Sequence, residues 1–179
     1  MGNNHLKWFN EEQRKIIIIC FEEHYLKSLS KALSHKEIYM NDAIGFFNDT
    51  VYYKKLSLKL WYLTVKNRHL WRHHFLGSQG VIINFSFSAK VKDNRITYEV
   101  LNILNDKHIV GLPVLLLIDT NNKDEFIVEK LRKDMNETFK TERKKIKNVR
   151  FLFVDFIEDI TDLEIGLDWL AEKMQPLKI

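Results

Sequence analysis

Glycine, proline and cysteine are all scarce in this chain, at six, two and one among 179 residues. With so few turn-formers there is no tract rich in Pro, Gly or Ser to serve as a linker, and low-complexity segments and internal repeats are missing too. The lone cysteine, Cys20, excludes an internal disulfide and fits a reducing compartment. No apolar run approaches the ~20 residues that cross a bilayer, and no Ala-x-Ala cleavage pattern follows a short greasy segment. A secreted or transmembrane protein is therefore not expected. The longest apolar run, Val110 to Ile118, is broken by Gly111 and Pro113 and reads as a buried strand.

What is present suits a soluble globular protein: 45% hydrophobic and 29% charged residues, in a chain long enough to bury a core without staples. The net charge of +4 is unevenly spread, with nine Lys/Arg against four Asp/Glu between Glu129 and Arg150. That stretch reads either as a solvated helix and loop or as a patch for anionic lipid or nucleic acid. Nucleic acid is the weaker of these, because no zinc-ligand pattern or known binding motif accompanies the charge.

The unbroken β-branched run Ile16–Cys20 predicts a fully buried strand, and Leu26–Leu33 a helix after it. Thr50–Tyr53 and Leu56–Trp61 read as two strands joined at Lys54-Lys55. In the second, Leu56, Leu58 and Leu60 alternate with Ser57 and Lys59, which predicts one buried and one wet face. Val81–Phe87, Pro113–Ile118 and Val149–Phe156 are further strands. Helical spacing joins Ile96, Val100, Leu101 and Leu104, and again Ile127, Leu131 and Met135. Thr161, with Glu164 three residues on, predicts a capped final helix whose inner face is Leu163, Leu167, Leu170 and Met174. The order is strand–helix, a hairpin, then strand–helix three times. It implies a mostly parallel six-stranded sheet with one antiparallel edge strand and helices on both faces, an α/β fold.

Three local features bear on chemistry. A strand entering a helix through a tight turn commonly cradles phosphate, yet Lys15–Leu33 contains no glycine, and Cys20-Phe21-Glu22-Glu23-His24-Tyr25 fills the turn. His69 and His73, spaced i,i+4, could share a metal, but no third ligand of matching spacing appears and Arg68 and Arg72 oppose a cation. Cys20 beside His24 could suggest a nucleophile, against the reading of a packed small residue at the end of a greasy strand.

Longer words carry a resemblance. Ile44–Trp61 (IGFFNDTVYYKKLSLKLW) looks like the switch I and interswitch of the ADP-ribosylation factor (Arf/Arl) family of small GTPases. Leu70–Ile83 (LWRHHFLGSQGVII) resembles its switch II, Gly166–Met174 (GLDWLAEKM) its closing helix, and the start MGNN its lipidated terminus. The resemblance implies a three-layer, Ras-like P-loop GTPase fold, with an N-terminal segment over residues 1–14 and one GTPase-like domain over 15–179.

The departures from the family's motifs are specific. Its P-loop has the form GxxxxGK followed by Ser or Thr, whose backbone N–H groups wrap the phosphates and whose hydroxyl binds magnesium. Here Cys20 and Tyr25 take the glycine positions, and Lys27-Ser28 imitates the final pair one residue late. Glu22 and Glu23 are expected to repel phosphate and to satisfy the helix N-terminus themselves. The word DVGGQ is replaced over Tyr62–Asn67 by residues with no carboxylate, glycine or glutamine. Asn122-Lys123-Asp124-Glu125 reads either as a shifted guanine-reading Asn-Lys-x-acid motif or as a polar turn before a helix. The base-contact loop before the last helix has no match around Ile157-Glu158-Asp159.

The resemblance thus implies an interaction module of the pseudo-GTPase kind in vesicle traffic, without catalytic residues and with no cofactor expected. The alternative is a working switch that holds GTP or GDP through Lys27, Ser28, Asn122, Lys123 and Glu125, with Mg²⁺ at Ser28. Protein partners are expected at Phe46, Trp61, Trp71 and His74, the last standing where the family usually has Tyr. For Phe46 and Trp61 the other reading is simple core packing. Gly2 is a myristoylation candidate, although Leu6 departs from the preferred Ser/Thr. Leu6, Trp8 and Phe9 could dip into a membrane, and one acyl chain needs such a second contact. The expected location is cytoplasmic, with peripheral attachment to Golgi or vesicle membranes.

Overall fold

The computed structural model describes residues 13–34, 46–54, 56–86, 94–120, 124–140, 148–154 and 161–174. The elements are β1 (Gln13–Cys20), α1 (Glu23–Ser34), β2 (Phe46–Tyr53), β3 (Leu56–Thr64), a 3-10 turn (Val65–Leu70), α2 (Trp71–Phe75), β4 (Gly80–Ser86), α3 (Asn94–Leu104), β5 (Val114–Asp119), α4 (Glu125–Lys140), β6 (Val149–Val154) and α5 (Thr161–Lys173). The six strands form one sheet in the order β2-β3-β1-β4-β5-β6, with only β2 antiparallel to its neighbour. This is the expected doubly covered α/β architecture, a Ras-like GTPase fold.

The isoleucine run is central because β-branched side chains fill both faces of a strand that has neighbours on either side. Ile16 to Ile19 are fully buried. Ile17 and Ile19 meet Trp71, Phe75, Val100, Leu131 and Met135 from α2, α3 and α4 on one face. Ile16 and Ile18 meet Leu26 and Leu29 of α1 and Leu163, Leu167, Leu170 and Met174 of α5 on the other. The predicted inner stripe of α5 is thus the observed one. The Thr161 side chain, proposed as the cap, lies outside the described residues.

Several local expectations change. β3 is longer than Leu56–Trp61 and lies between β2 and β1, and Ser57, placed on a wet face, is buried. Of the residues whose spacing marks α4, Leu131 and Met135 are buried with Phe139, while Ile127 is exposed. Only Val114–Ile118 of the 110–118 run is strand, because Gly111 turns the chain with φ +87 before Pro113.

The β2–β3 hairpin turns at Lys54, which adopts a left-handed φ of 54. Its tip is tied to α5: the Tyr53 hydroxyl donates to the Asp168 carboxylate, and Lys54 Nζ is 2.5 Å from the same group. The Lys54 and Tyr53 hydrogen bonds hold the Asp168 carboxyl below its usual range. Burial, followed by the Asp168 bond, pushes the Tyr53 phenol up. A depressed carboxylate adds stability that is present above its unfolded pKa and lost as pH falls through the folded one. Asp168→Asn is therefore expected to lower the denaturation midpoint at pH 7 and to flatten its decline below about pH 5. Superimposable midpoints for the two proteins from neutral to acid pH would contradict this clasp.

Candidate functional site

Parallel α/β sheets gather ligands beyond the C-terminal ends of their strands. There β1 ends at Cys20, in register with Thr64 of β3 and Asn84 of β4. Phe21 N–H donates to the Asn84 carbonyl at 3.1 Å, and the Phe21 ring meets Trp71 and Phe85 edge-on at 6.0 and 6.4 Å. Because α1 begins at Glu23, Phe21 and Glu22 are the whole connection. Neither has positive φ, which among the described residues occurs only at Lys54, Gly77 and Gly111. A phosphate nest alternates hands to aim successive N–H groups inward, and two residues of one hand make none.

Glu22, expected to satisfy the N-terminus of α1, faces His24. Its carboxylate lies 3.5 Å from His24 Nε2, and the His24 ring in turn packs on buried Tyr25 at 3.9 Å. The Glu23 side chain lies outside the described residues. Lys27 and Ser28 sit on the exposed side of α1, while Leu26 and Leu29 face the core. Burial pushes the Cys20 thiol up to about 12, so it is inert as a nucleophile, and His24 is exposed.

After Thr64 the chain winds directly into the 3-10 turn. This turn, Phe21, Glu22 and Glu99 of α3 enclose an open cavity of 570 Å³. Glu99 is engaged by Arg68 at 2.6 Å. On the guanine side, Asn122 and Lys123 fall outside the described residues, as do 155–160. Asp124 Oδ1 accepts the Phe126 N–H at 2.8 Å, which makes Asp124 the cap of α4. Glu125 is exposed in the first turn, where its charge meets the helix dipole. For Asp124 and Glu125 this is the geometry of a polar turn before a helix.

The aromatic cluster does assemble. Phe46 stacks on Trp61 at 5.9 Å, and His74 lies 4.8 Å from Phe46 and 5.2 Å from Trp61. All three are half-buried: Phe46 and Trp61 pack against the core beneath, yet part of each ring stays open. Lys15 and Lys59, paired across β1 and β3, flank the indole of Trp61 at 5.2 and 5.6 Å. Lys15 also donates to the carbonyls of His74 and Leu76, the latter at 2.8 Å. Burial, then the charges of Lys15 and His73, lower the His74 pKa, so the imidazole is neutral at pH 7. Sequence reading missed both lysines, although Lys59 is two residues before Trp61 and shares its face.

Trp71 is a correction. It is 6% exposed, packed in the core, and donates from Nε1 to the Thr64 carbonyl at 2.8 Å. Its indole packs beneath the 3-10 turn and not in the Phe46–Trp61–His74 cluster. His69 and His73 are both exposed, and no group of three or more His, Cys, Asp or Glu among the described residues could hold a metal.

The sheet order, with one antiparallel edge strand beside five parallel ones, is that of the Ras-like GTPase fold. The defining sequence pattern of the ADP-ribosylation factor family matches residues 5–174, and the chain belongs to that family. It is similar in fold to the Arl6 (BBS3) small GTPase of Trypanosoma brucei, a structure with the bound nucleotide analogue GppNp. That likeness has a TM-score of 0.68 at 13% identity, and covers 89% of this chain and 96% of that one.

Proteins of this family bind GTP or GDP with Mg²⁺. The described residues do not fit that group. The β1–α1 connection is too short to wrap a triphosphate, Glu22 lines the adjoining cavity, and residues 62–67 offer no carboxylate for the metal. At ~4 Å a carboxylate repels each phosphate charge by ~1 kcal/mol in water and ~4 kcal/mol at a surface-like dielectric.

Proposed function

We propose that this chain is a pseudo-GTPase: an Arf-like interaction module that holds protein partners on its Phe46–Trp61–His74 face without a GTP/GDP cycle. Its setting is vesicle traffic, with peripheral attachment to Golgi or vesicle membranes and Gly2 as a candidate lipid acceptor. Nucleic acid is not among its partners on this reading. One observation carries the proposal: the two-residue exit of β1, in which Phe21 turns into the core and Glu22 brings a negative charge. Half-open aromatics flanked by lysines, 5.2 to 5.6 Å from Trp61, supply the kind of anchor that interface energy concentrates on.

The second reading keeps a nucleotide switch, with Lys27, Ser28, Asn122, Lys123 and Glu125 around GTP and Mg²⁺. The two are separated by thermal unfolding with GTP, GDP or GppNp, each with and without Mg²⁺. A ligand at 100 times its Kd adds ~2.7 kcal/mol. For a protein of this size that raises Tm by several degrees. No displacement at millimolar nucleotide is expected. A magnesium-dependent rise, or guanine nucleotide co-purifying with the protein, favours the switch and ends the pseudo-GTPase reading.

A further inference from the structure

We propose that the Phe46–Trp61–His74 face takes a partner protein's segment in which an acidic residue stands beside an aromatic or aliphatic one, its carboxylate seated between Lys15 and Lys59. The inference rests on the reading of this face as the partner surface, and adds the chemistry that the surface recognises.

Register sets the charge. Lys59 stands between Thr50 and Lys15 in one row across β2, β3 and β1, and Trp61 between Asn48 and Ile17 in the next. Alternate residues share a face, so this face of the three strands carries two lysines and no Asp or Glu. Asp49 falls on the opposite face, in register with Leu60. Among the described residues no carboxylate forms an ion pair with either lysine. Lys15 Nζ is held by the carbonyls of His74 and Leu76, and Lys59 Nζ lies 5.6 Å from the indole of Trp61. Burial, then the charge of Lys59, lower the Lys15 pKa, as befits two half-buried cations with no counter-charge. A carboxylate between them removes that repulsion and accepts from both. The Trp61 Nε1–H, covered by protein and without an acceptor, is a further donor here.

The rings set the rest of the motif. Phe46, Trp61 and His74 have centroids 4.8 to 5.9 Å apart, and Leu76, whose carbonyl anchors Lys15, is 70% exposed. An apolar side chain laid on this cluster, with an acid next to it, meets both halves of the surface. Depth favours a protein over a bilayer. The Lys15 ammonium is tied back to backbone carbonyls and does not extend to a plane of headgroups, whereas a single side chain can reach in to it.

The test selects random dodecapeptides displayed on phage against the full chain, then asks which of them shift the Trp61 Nε1–H resonance. Those that do are expected to carry Asp or Glu adjacent to an aromatic or aliphatic residue. Exchange of the peptide's acid for its amide should weaken binding about tenfold. Lys59→Arg should keep the affinity. Lys59→Glu should reverse the preference, favouring the same peptide with Lys in place of its acid. If no selected peptide shifts the Trp61 resonance, the partner-surface reading falls and this inference with it. Peptides that shift it but are no richer in acid than the library, or are indifferent to the amide exchange and to Lys59→Glu, overturn the inference alone. So does a shift produced by phosphatidylserine vesicles but not by acidic peptides. Lys59 is half-buried, so melting of both variants beside the wild type verifies the fold, and the amide exchange probes the same contact without altering the protein.

Discussion

Trp71→Ala is expected to cost about 3–5 kcal/mol of folding stability, out of a total of about 5–15 for a domain. The indole is 6% exposed and sits among Ile17, Ile19, Phe75 and Val100. Removing it leaves a cavity under the 3-10 turn, takes the edge contact from Phe21 at 6.0 Å, and strips the Thr64 carbonyl of its 2.8 Å donor. Trp71→Phe keeps most of the volume and loses the hydrogen bond, so about 1–2 kcal/mol is expected. Trp61→Ala removes a ring that is already half in water and should cost clearly less than Trp71→Ala, while abolishing the aromatic face. Urea denaturation of the three variants measures this ordering. Equal losses for Trp61→Ala and Trp71→Ala would mean that the assignment of one to the surface and the other to the core is mistaken.

Gly166→Val is the second large effect, expected at about 2–3 kcal/mol. The glycine lies mid-way along α5, where it is buried against the sheet. A Cβ there would stand 2.9 Å from Leu115 Cδ2 and 3.0 Å from Leu152 Cδ2. An alanine gains ~1 kcal/mol of helix propensity, which roughly offsets the small displacement of two leucine tips. Gly166→Ala should therefore melt close to the wild type. Valine adds two γ-carbons to the same crowded place, and overpacking wins. A Gly166→Val protein with unchanged Tm would show that α5 does not approach the sheet as closely as described.

The same short word around Gly166 illustrates how much was readable. Leu167 and Leu170 were legible as core from their spacing alone, and they are core. Asp168 and Trp169 were not, because their partners are remote: Asp168 ties the tip of the β2–β3 hairpin, and Trp169 receives Arg150. The exit of β1 was also legible in outline, since missing glycines and adjacent acids restrict any strand-to-helix turn. That Glu22 would pair with His24, and Phe21 turn inward, depended on packing with Trp71 and Phe85.

Trp71 was misplaced for a definite reason. α2 is five residues long and follows a six-residue 3-10 turn. Fewer than two turns cannot establish a buried face by periodicity, and the change of helical pitch shifts the phase. Ser57 differs in another way: it is buried, while Lys59 and Trp61 on the same face of β3 are only half-buried, so alternation separates the two faces without fixing how far each position is covered. The partnership of Lys15 with Lys59 required the parallel register of β1 and β3, which aligns residues 44 positions apart.

By itself the sequence determined the family, the alternation of strands and helices, the isoleucine-filled central strand, and the loss of turn-forming glycine where a phosphate would need bare backbone. Those properties depend on near neighbours, through steric limits on φ and the spacing of apolar side chains. Only the tertiary structure decided which tryptophan is core and which is anchor, and which lysines flank that anchor. Those outcomes depend on pairing between segments distant in the chain, which local spacing does not encode.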